Sequence, residues 1–197
     1  ELYPFDGIPL PDTLTAAGDP NKPPFSRGSA RAFAGAEGEE KARRIISYYW
    51  ALCTLIDDQV ARILAALEEQ GLADNTVILY TTDHGEMLCD WGRLGKGNFL
   101  EQVIHAPFLA WAPGCAGGTV VDSLIETSDL AATVLDYAGV PIPAQMSAHS
   151  LRPLLEGRPG GRDSVLCEYT TNDQSRSGKC LRTRDAIVPC LVDNDIE

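Results

Sequence analysis

A chain of 197 residues, 44% hydrophobic and 22% charged, has the length and balance of a globular domain large enough to bury a core. Its formal net charge of −12 sets it against polyanions, so neither nucleic acid nor an anionic membrane surface is an expected partner. No apolar run approaches the roughly 20 residues needed to cross a bilayer as a helix.

Residues 1 to 36 hold six of the thirteen prolines (positions 4, 9, 11, 20, 23 and 24) and show no sustained periodicity. They read as part of a loop-rich lead-in spanning 1–42. The α/β core is expected over 43–143. It opens on Ile45, Tyr48, Tyr49, Leu52, Leu55, Ile56, Val60, Ile63, Leu64 and Leu67, which recur at spacings of three and four. That spacing predicts a long amphipathic helix closed by Gly71 at the C′ position. The adjacent Asp57 and Asp58 point about 100° apart on such a helix and cannot both aim at one ion.

Val77-Ile78-Leu79-Tyr80 is a short apolar run rich in strand formers. It predicts a strand within 76–82, buried on both faces as in a parallel sheet. A glycine-punctuated loop from Gly85 to Gly97 carries Lys96, and Glu101 to Ala106 suits a short turn. Residues 107–112 form a second apolar run stopped by Pro113-Gly114, and Val120 to Glu126 is a third apolar segment. Ser128 is the expected N-cap of a helix that Gly139 ends before Pro141. Helix, strand, loop, strand, helix is the grammar of an α/β layered fold.

Beyond Pro143 the grammar changes. A helical turn over Ser150–Glu156 precedes three short strand patterns at 164–169, 179–184 and 186–192. They predict a small antiparallel C-terminal subdomain over 144–197, incomplete at its end, with Pro189 confining the last strand to an edge. The six cysteines are scattered without a CxxC pair. That favours reduced thiols and a reducing compartment such as the cytoplasm.

The chemistry concentrates in Thr81-Thr82-Asp83-His84-Gly85-Glu86, where three ionisable groups fall within four residues at the end of a strand. Ligands of open α/β sheets bind beyond the carboxyl ends of their strands. Asp83 offers a hard oxygen and His84 an imidazole nitrogen, a mixed shell suited to a divalent ion. Oxygen-only shells favour Ca²⁺ or Mg²⁺, and a histidine moves the choice toward Mn²⁺ or Zn²⁺. Gly85 is expected to let the backbone turn sharply. By itself, D-H-G reads more readily as a plain tight turn.

The flanking residues add a resemblance. The run TTDHGEMLCDWGRLGKGNFLEQ is similar to the metal-site segment of the type I sulfatases, of the alkaline phosphatase superfamily. Ile56–Leu64 resembles that family's preceding helix, Ser128–Leu135 its D-L-x-P-T-L-L segment, and His149–Gly157 its G-x-S-L-x-P-L-L-x-G stretch. Similarity therefore runs in the family's order from about residue 43 to 185. It implies an alkaline-phosphatase-like layered sheet, with Asp83 and His84 as metal ligands and Lys96 as the catalytic residue that grips a substrate sulfate oxygen. The implied cofactor is a divalent metal, Ca or Mn, with Mg or Zn also open, since relatives with asparagine in place of His84 are usually calcium enzymes. Glu86 falls outside the ligand shell, and Trp91 stands where many relatives carry a histidine. His105 and His149 match no catalytic position.

Two family features have no counterpart. The first is an N-terminal aspartate pair. The second is C-x-P/A-x-R, whose cysteine becomes the formylglycine nucleophile. Cys89 and Cys180 stand four residues before Arg93 and Arg184, but Trp91 and Arg182 occupy the Pro/Ala place. The chain is thus expected to be the C-terminal portion of a sulfatase acting on a small-molecule sulfate ester, with formylglycine belonging to the parent and absent here. Two alternatives stand beside this: a portion of a phosphodiesterase or phosphonate monoester hydrolase of the same superfamily, and a catalytically inert half-domain. Surface uncovered by truncation is expected to drive homo-oligomerisation, as a dimer or by exchange of N-terminal segments.

Overall fold

The computed structural model describes residues 2–15, 33, 35–115, 117–170 and 176–193. Residues 16–32 of the proline-rich lead-in lie outside this set. The elements are α1 (Gly35–Glu69), β1 (Ile78–Thr81), α2 (Glu101–Ile104), β2 (Phe108–Trp111), α3 (Asp129–Tyr137), α4 (Arg152–Leu155), β3 (Ser164–Thr170), β4 (Arg176–Thr183) and β5 (Ile187–Asp193). The chain forms two compact units that alternate along the sequence. The first contains residues 1–73 and 84–105, the second residues 74–83 and 106–197.

In the first unit, α1 begins at Gly35, earlier than the hydrophobic pattern indicates, because its first turns are polar and alanine-rich. Its end follows expectation. Gly71 adopts φ +66°, its N–H reaches the Glu68 carbonyl at 3.0 Å, and the Leu72 N–H reaches the Leu67 carbonyl at 2.9 Å. This paired closure needs a left-handed residue after the helix, the conformation glycine adopts at least cost. Ala42, Ile46 and Ser47 are buried, and with Ile8, Leu14, Phe33 and Cys89 the two apolar residues form the unit's main core. Ser47 donates to the Tyr3 carbonyl at 2.5 Å, and Tyr3 meets Trp50 edge-on at a centroid distance of 5.6 Å. Further along, the apolar face is uncovered: Tyr48 is 70% exposed and Ile63 62%, with Leu52, Leu55 and Ile56 also exposed. Asp57 and Asp58 face solvent. Periodicity located the apolar stripe but carried no information on what covers it.

In the second unit, among the described residues, β1 pairs only with β2, antiparallel, with Ile78 opposite Trp111 and Thr81 opposite Phe108. This corrects the expectation of a parallel strand buried on both faces. Ile78 and Leu79 are half-buried and Tyr80 is exposed. An apolar run reports that side chains tolerate burial, whereas direction and neighbours are set by chain segments far away in sequence. The C-terminal sheet follows expectation: β3, β4 and β5 form an antiparallel sheet in that order, and Pro189 lies on an edge strand opposite Cys180.

Ser128 precedes α3 as predicted, but its side chain caps nothing. Its own φ and ψ are helical, and its hydroxyl donates to a Glu126 carboxylate oxygen at 3.2 Å. Asp129, one residue later, organises the region instead. Its Oδ2 accepts the Glu126 N–H at 2.9 Å and its Oδ1 the His149 N–H at 2.7 Å. Arg162 donates to both oxygens, through Nε at 3.1 Å and an Nη at 2.5 Å.

Candidate functional site

The candidate residues lie where β1 ends and the next loop begins. Within the second unit, the Thr81 hydroxyl donates to the Pro107 carbonyl at 2.9 Å, fastening the end of β1 beside the start of β2. The Thr82 hydroxyl donates to Asp83 Oδ1 at 3.2 Å, and Asp83 is exposed. Asp83 closes this unit's first segment.

His84 opens the 84–105 segment of the first unit and is half-buried. Its Nδ1 lies 2.9 Å from the Gly85 carbonyl oxygen. A carbonyl only accepts, so Nδ1 is the donor in this contact, which in the neutral ring makes Nε2 the nitrogen available to ligate a metal. Gly85 matters for its missing Cβ, as expected, although its φ is not left-handed. Its N–H bonds to the Val103 carbonyl at 2.7 Å, and a Cβ placed there would lie 2.0 Å from the Gln102 carbonyl oxygen. Glycine is required by close backbone approach rather than by a turn.

The loop that follows is held from within. Glu86 Oε1 accepts the Leu88 N–H at 3.3 Å and also the Gly95 N–H. The Met87 N–H reaches the Gly95 carbonyl at 3.0 Å, and the Cys89 N–H the Arg93 carbonyl at 2.7 Å. Three non-glycine residues adopt left-handed backbone: Leu88, Cys89 and Trp91 at φ 41°, 76° and 54°. Each costs on the order of 1–3 kcal/mol and persists only where its surroundings fix it. Thr13 is one such restraint, donating to Asp90 Oδ1 at 2.5 Å and accepting the Trp91 N–H at 3.0 Å. Met87, Leu100 and Val103 form a small buried cluster against which Trp91 packs.

Lys96 is exposed between Gly95 and Gly97, both left-handed at φ +82° and +84°. His84 and Lys96 therefore share a unit, at the two ends of one braced loop, and Asp83 belongs to the other unit. Cys89 is fully buried. Its thiol is pushed up to about 11, first by burial and then by the charges of Glu86 and Asp90, so little thiolate exists at neutral pH. His105 is exposed beside Glu101 at 3.6 Å, and His149 is exposed. Among the described residues, no group of three or more His, Cys, Asp or Glu side chains is placed to hold a metal ion. Asp83 and His84 are the right donor types, but catalytic sites use about three protein ligands. The described residues do not make a complete metal site by themselves.

Two contributors lay outside the sequence reading. Thr13 sits in a stretch with no periodicity, 77 residues from the aspartate it binds. The Asp129–Arg162 pair bridges 33 residues with no local pattern to announce it.

Residues 19–140 match the family described as Sulfatase. The chain belongs to the sulfatase family. Among curated relatives, mouse (Mus musculus) arylsulfatase K is 30% identical over 191 residues, covering 93% of this chain and 34% of that protein. Among solved structures, the phosphonate monoester hydrolase of Silicibacter pomeroyi superposes with a TM-score of 0.74 at 28% identity, over all of this chain and 46% of that one. A protein solved with its substrate D-glucosamine-2-N,6-O-disulfate gives a TM-score of 0.76 at 28% identity, over 84% of this chain and 35% of that one. The fold is accordingly the α/β, alkaline-phosphatase-like fold shared by sulfatases and phosphonate monoester hydrolases. The chain spans 21 to 36% of the length of the curated relatives it matches.

Proposed function

We propose that this chain is the C-terminal portion of a metal-dependent sulfuric ester hydrolase, supplying part of its metal and sulfate site. The observation that carries the reading is the D-H-G run at the end of β1, followed by a loop whose internal bonds and flanking glycines display Lys96, all inside the sulfatase match. In this reading Asp83 and His84 contribute an oxygen and an Nε2 donor to a divalent ion. Ca or Mn suits the pair, with Mg or Zn also compatible. The ammonium of Lys96 binds a non-bridging sulfate oxygen and offsets charge there as the ester bond breaks. Glu86 holds the loop and touches no substrate. A formylglycine nucleophile and the remaining carboxylate ligands belong to the parent enzyme, so the substrate, a small sulfate ester, is turned over only by the larger protein.

The likeness to a phosphonate monoester hydrolase over the whole chain favours one second reading, a portion of an enzyme acting on phosphoryl esters. The nucleophile separates them. The coding sequence upstream of Glu1 is expected to encode C-x-P/A-x-R. A threonine or serine nucleophile in its place would overturn the sulfatase reading in favour of a phosphodiesterase, and the absence of any such segment would reject both.

A further inference from the structure

Cys167 and Cys180 occupy directly opposed positions of the antiparallel β3–β4 pair. Opposed residues in such a pair project from the same face of the sheet, with Cα atoms about 4.5–5.5 Å apart in either type of pairing. A disulfide accepts Cα separations of about 4.4–6.8 Å and Cβ separations of about 3.5–4.5 Å, so opposed positions bring the two sulfurs within bonding reach after at most a small local adjustment. The face they share is the packed one: Val165, two residues from Cys167, is 8% exposed, and Cys180 is fully buried. Both are thiols in this structure. Cys167 is only half-buried, which leaves it open to an oxidant. The other cysteines are placed differently. Cys53 and Cys89 belong to the first unit, Cys115 follows β2 and accepts the Ala112 N–H on Sγ at 3.2 Å, and Cys190 is registered against Lys179, one position off Cys180.

We propose that Cys167 and Cys180 are a redox pair that closes into a cross-strand disulfide when the protein meets a disulfide oxidant such as oxidised glutathione. The Cys167 thiolate attacks one oxidant sulfur, forming a mixed disulfide and releasing one glutathione thiolate. The Cys180 thiolate then attacks Sγ of Cys167 and releases the second. The protein loses two electrons and two protons, and one glutathione disulfide becomes two thiols. Access assigns the order, because the half-buried Cys167 meets the oxidant and the fully buried Cys180 resolves the intermediate. The closed bond locks the register of β3 against β4, since a slip by one residue would carry one sulfur to the other face.

The test is incubation of the folded protein with oxidised glutathione, followed by acid quench and mass spectrometry of a non-reduced tryptic digest. Arg176 and Lys179 place the two cysteines in separate peptides, so the bond appears as a linked pair that reductant splits. The expected result is that Cys167–Cys180 is the major linked species. In Cys180→Ser, Cys167 should accumulate as the glutathione mixed disulfide. In Cys167→Ser, Cys180 should remain largely unmodified. Absence of the linked pair in the wild-type protein, or a product dominated by another pairing, would overturn the proposal. So would faster glutathionylation at Cys180 than at Cys167.

Discussion

The Arg162 guanidinium donates to both carboxylate oxygens of Asp129, which is 1% exposed, while the N–H groups of Glu126 and His149 fill the same oxygens' remaining acceptor positions. Three chain segments, 126–129, 149 and 162, thus meet at one buried carboxylate. Removing one partner of such a pair strands a charge out of water and costs about 3–5 kcal/mol. Arg162→Ala should lower stability by that order in chemical denaturation. Asp129→Asn, which keeps the shape but not the charge, should also destabilise. Loss below about 1 kcal/mol in Arg162→Ala would show that the pair does not hold the region.

The same carboxylate gives the protein an acid limit. Burial alone would raise the pKa of Asp129, but the Arg162 and backbone hydrogen bonds overcome it and hold it below the ordinary value of 3.8. A depressed carboxylate stabilises fully above its unfolded pKa, and the contribution is lost as pH falls through the folded value. Melting temperature against pH should therefore drop below about pH 4 in the wild type. Arg162→Ala should flatten that acid limb. An unchanged limb in the variant would assign acid sensitivity to other groups.

Gly85 is fixed by the Gln102 carbonyl, with no room for a Cβ at 2.0 Å. Gly85→Ala must push apart the backbone of 84–86 and 102–103, which also share the Gly85–Val103 hydrogen bond. A loss of about 2–4 kcal/mol is expected, on the scale of other severe steric changes. Gly117→Ala, at a position where a Cβ meets nothing, is the control and should be near neutral. Equal stability of the two variants would contradict the close approach.

Glu86 braces the loop by accepting two backbone N–H groups. Glu86→Ala leaves both without that partner and should cost about 1–3 kcal/mol. Glu86→Gln keeps a carbonyl acceptor and should cost less. Hydrogen exchange at the Gly95 amide should speed up in the alanine variant. Unchanged exchange there would show the loop is held by its backbone bonds alone.

How much of this was legible beforehand depends on the range of the cause. The end of α1 was readable, because Gly71 and the apolar period act over a few residues. The antiparallel C-terminal sheet was readable for the same reason, through three short strand segments separated by polar turns and the edge-forming Pro189. The pairing of β1 was not, since Ile78–Thr81 carries no record of its distant partner Phe108–Trp111. The need for a missing Cβ at Gly85 was readable, but not that the Gln102 carbonyl is what a Cβ would strike. At the candidate site, the residue types and the family pattern named Asp83, His84 and Lys96. Thr13 and the left-handed run at 88–91 came from tertiary restraint, which leaves no local signature.

The exposed stripe of α1 supports self-association, which we propose for the isolated chain. Tyr48, Leu52, Leu55, Ile56 and Ile63 leave a continuous apolar face in water. Multi-angle light scattering should report a dimer or larger species, and Leu52→Glu with Leu55→Glu should shift it toward monomer. A monomer at high protein concentration in the unmodified chain would reject the proposal.

The central claim is that this chain holds part of a sulfatase site and not a complete reaction centre. The most direct measurement is hydrolysis of an aryl sulfate by the purified chain, alone and with Ca²⁺ or Mn²⁺, beside Asp83→Ala. On the proposed reading the nucleophile belongs to the parent enzyme, and a site that lacks its nucleophile loses the covalent route and keeps only weak residual catalysis. The expected result is no turnover above background in either protein under any metal condition. Metal-dependent turnover in the chain that disappears in Asp83→Ala would show a working enzyme and contradict the account.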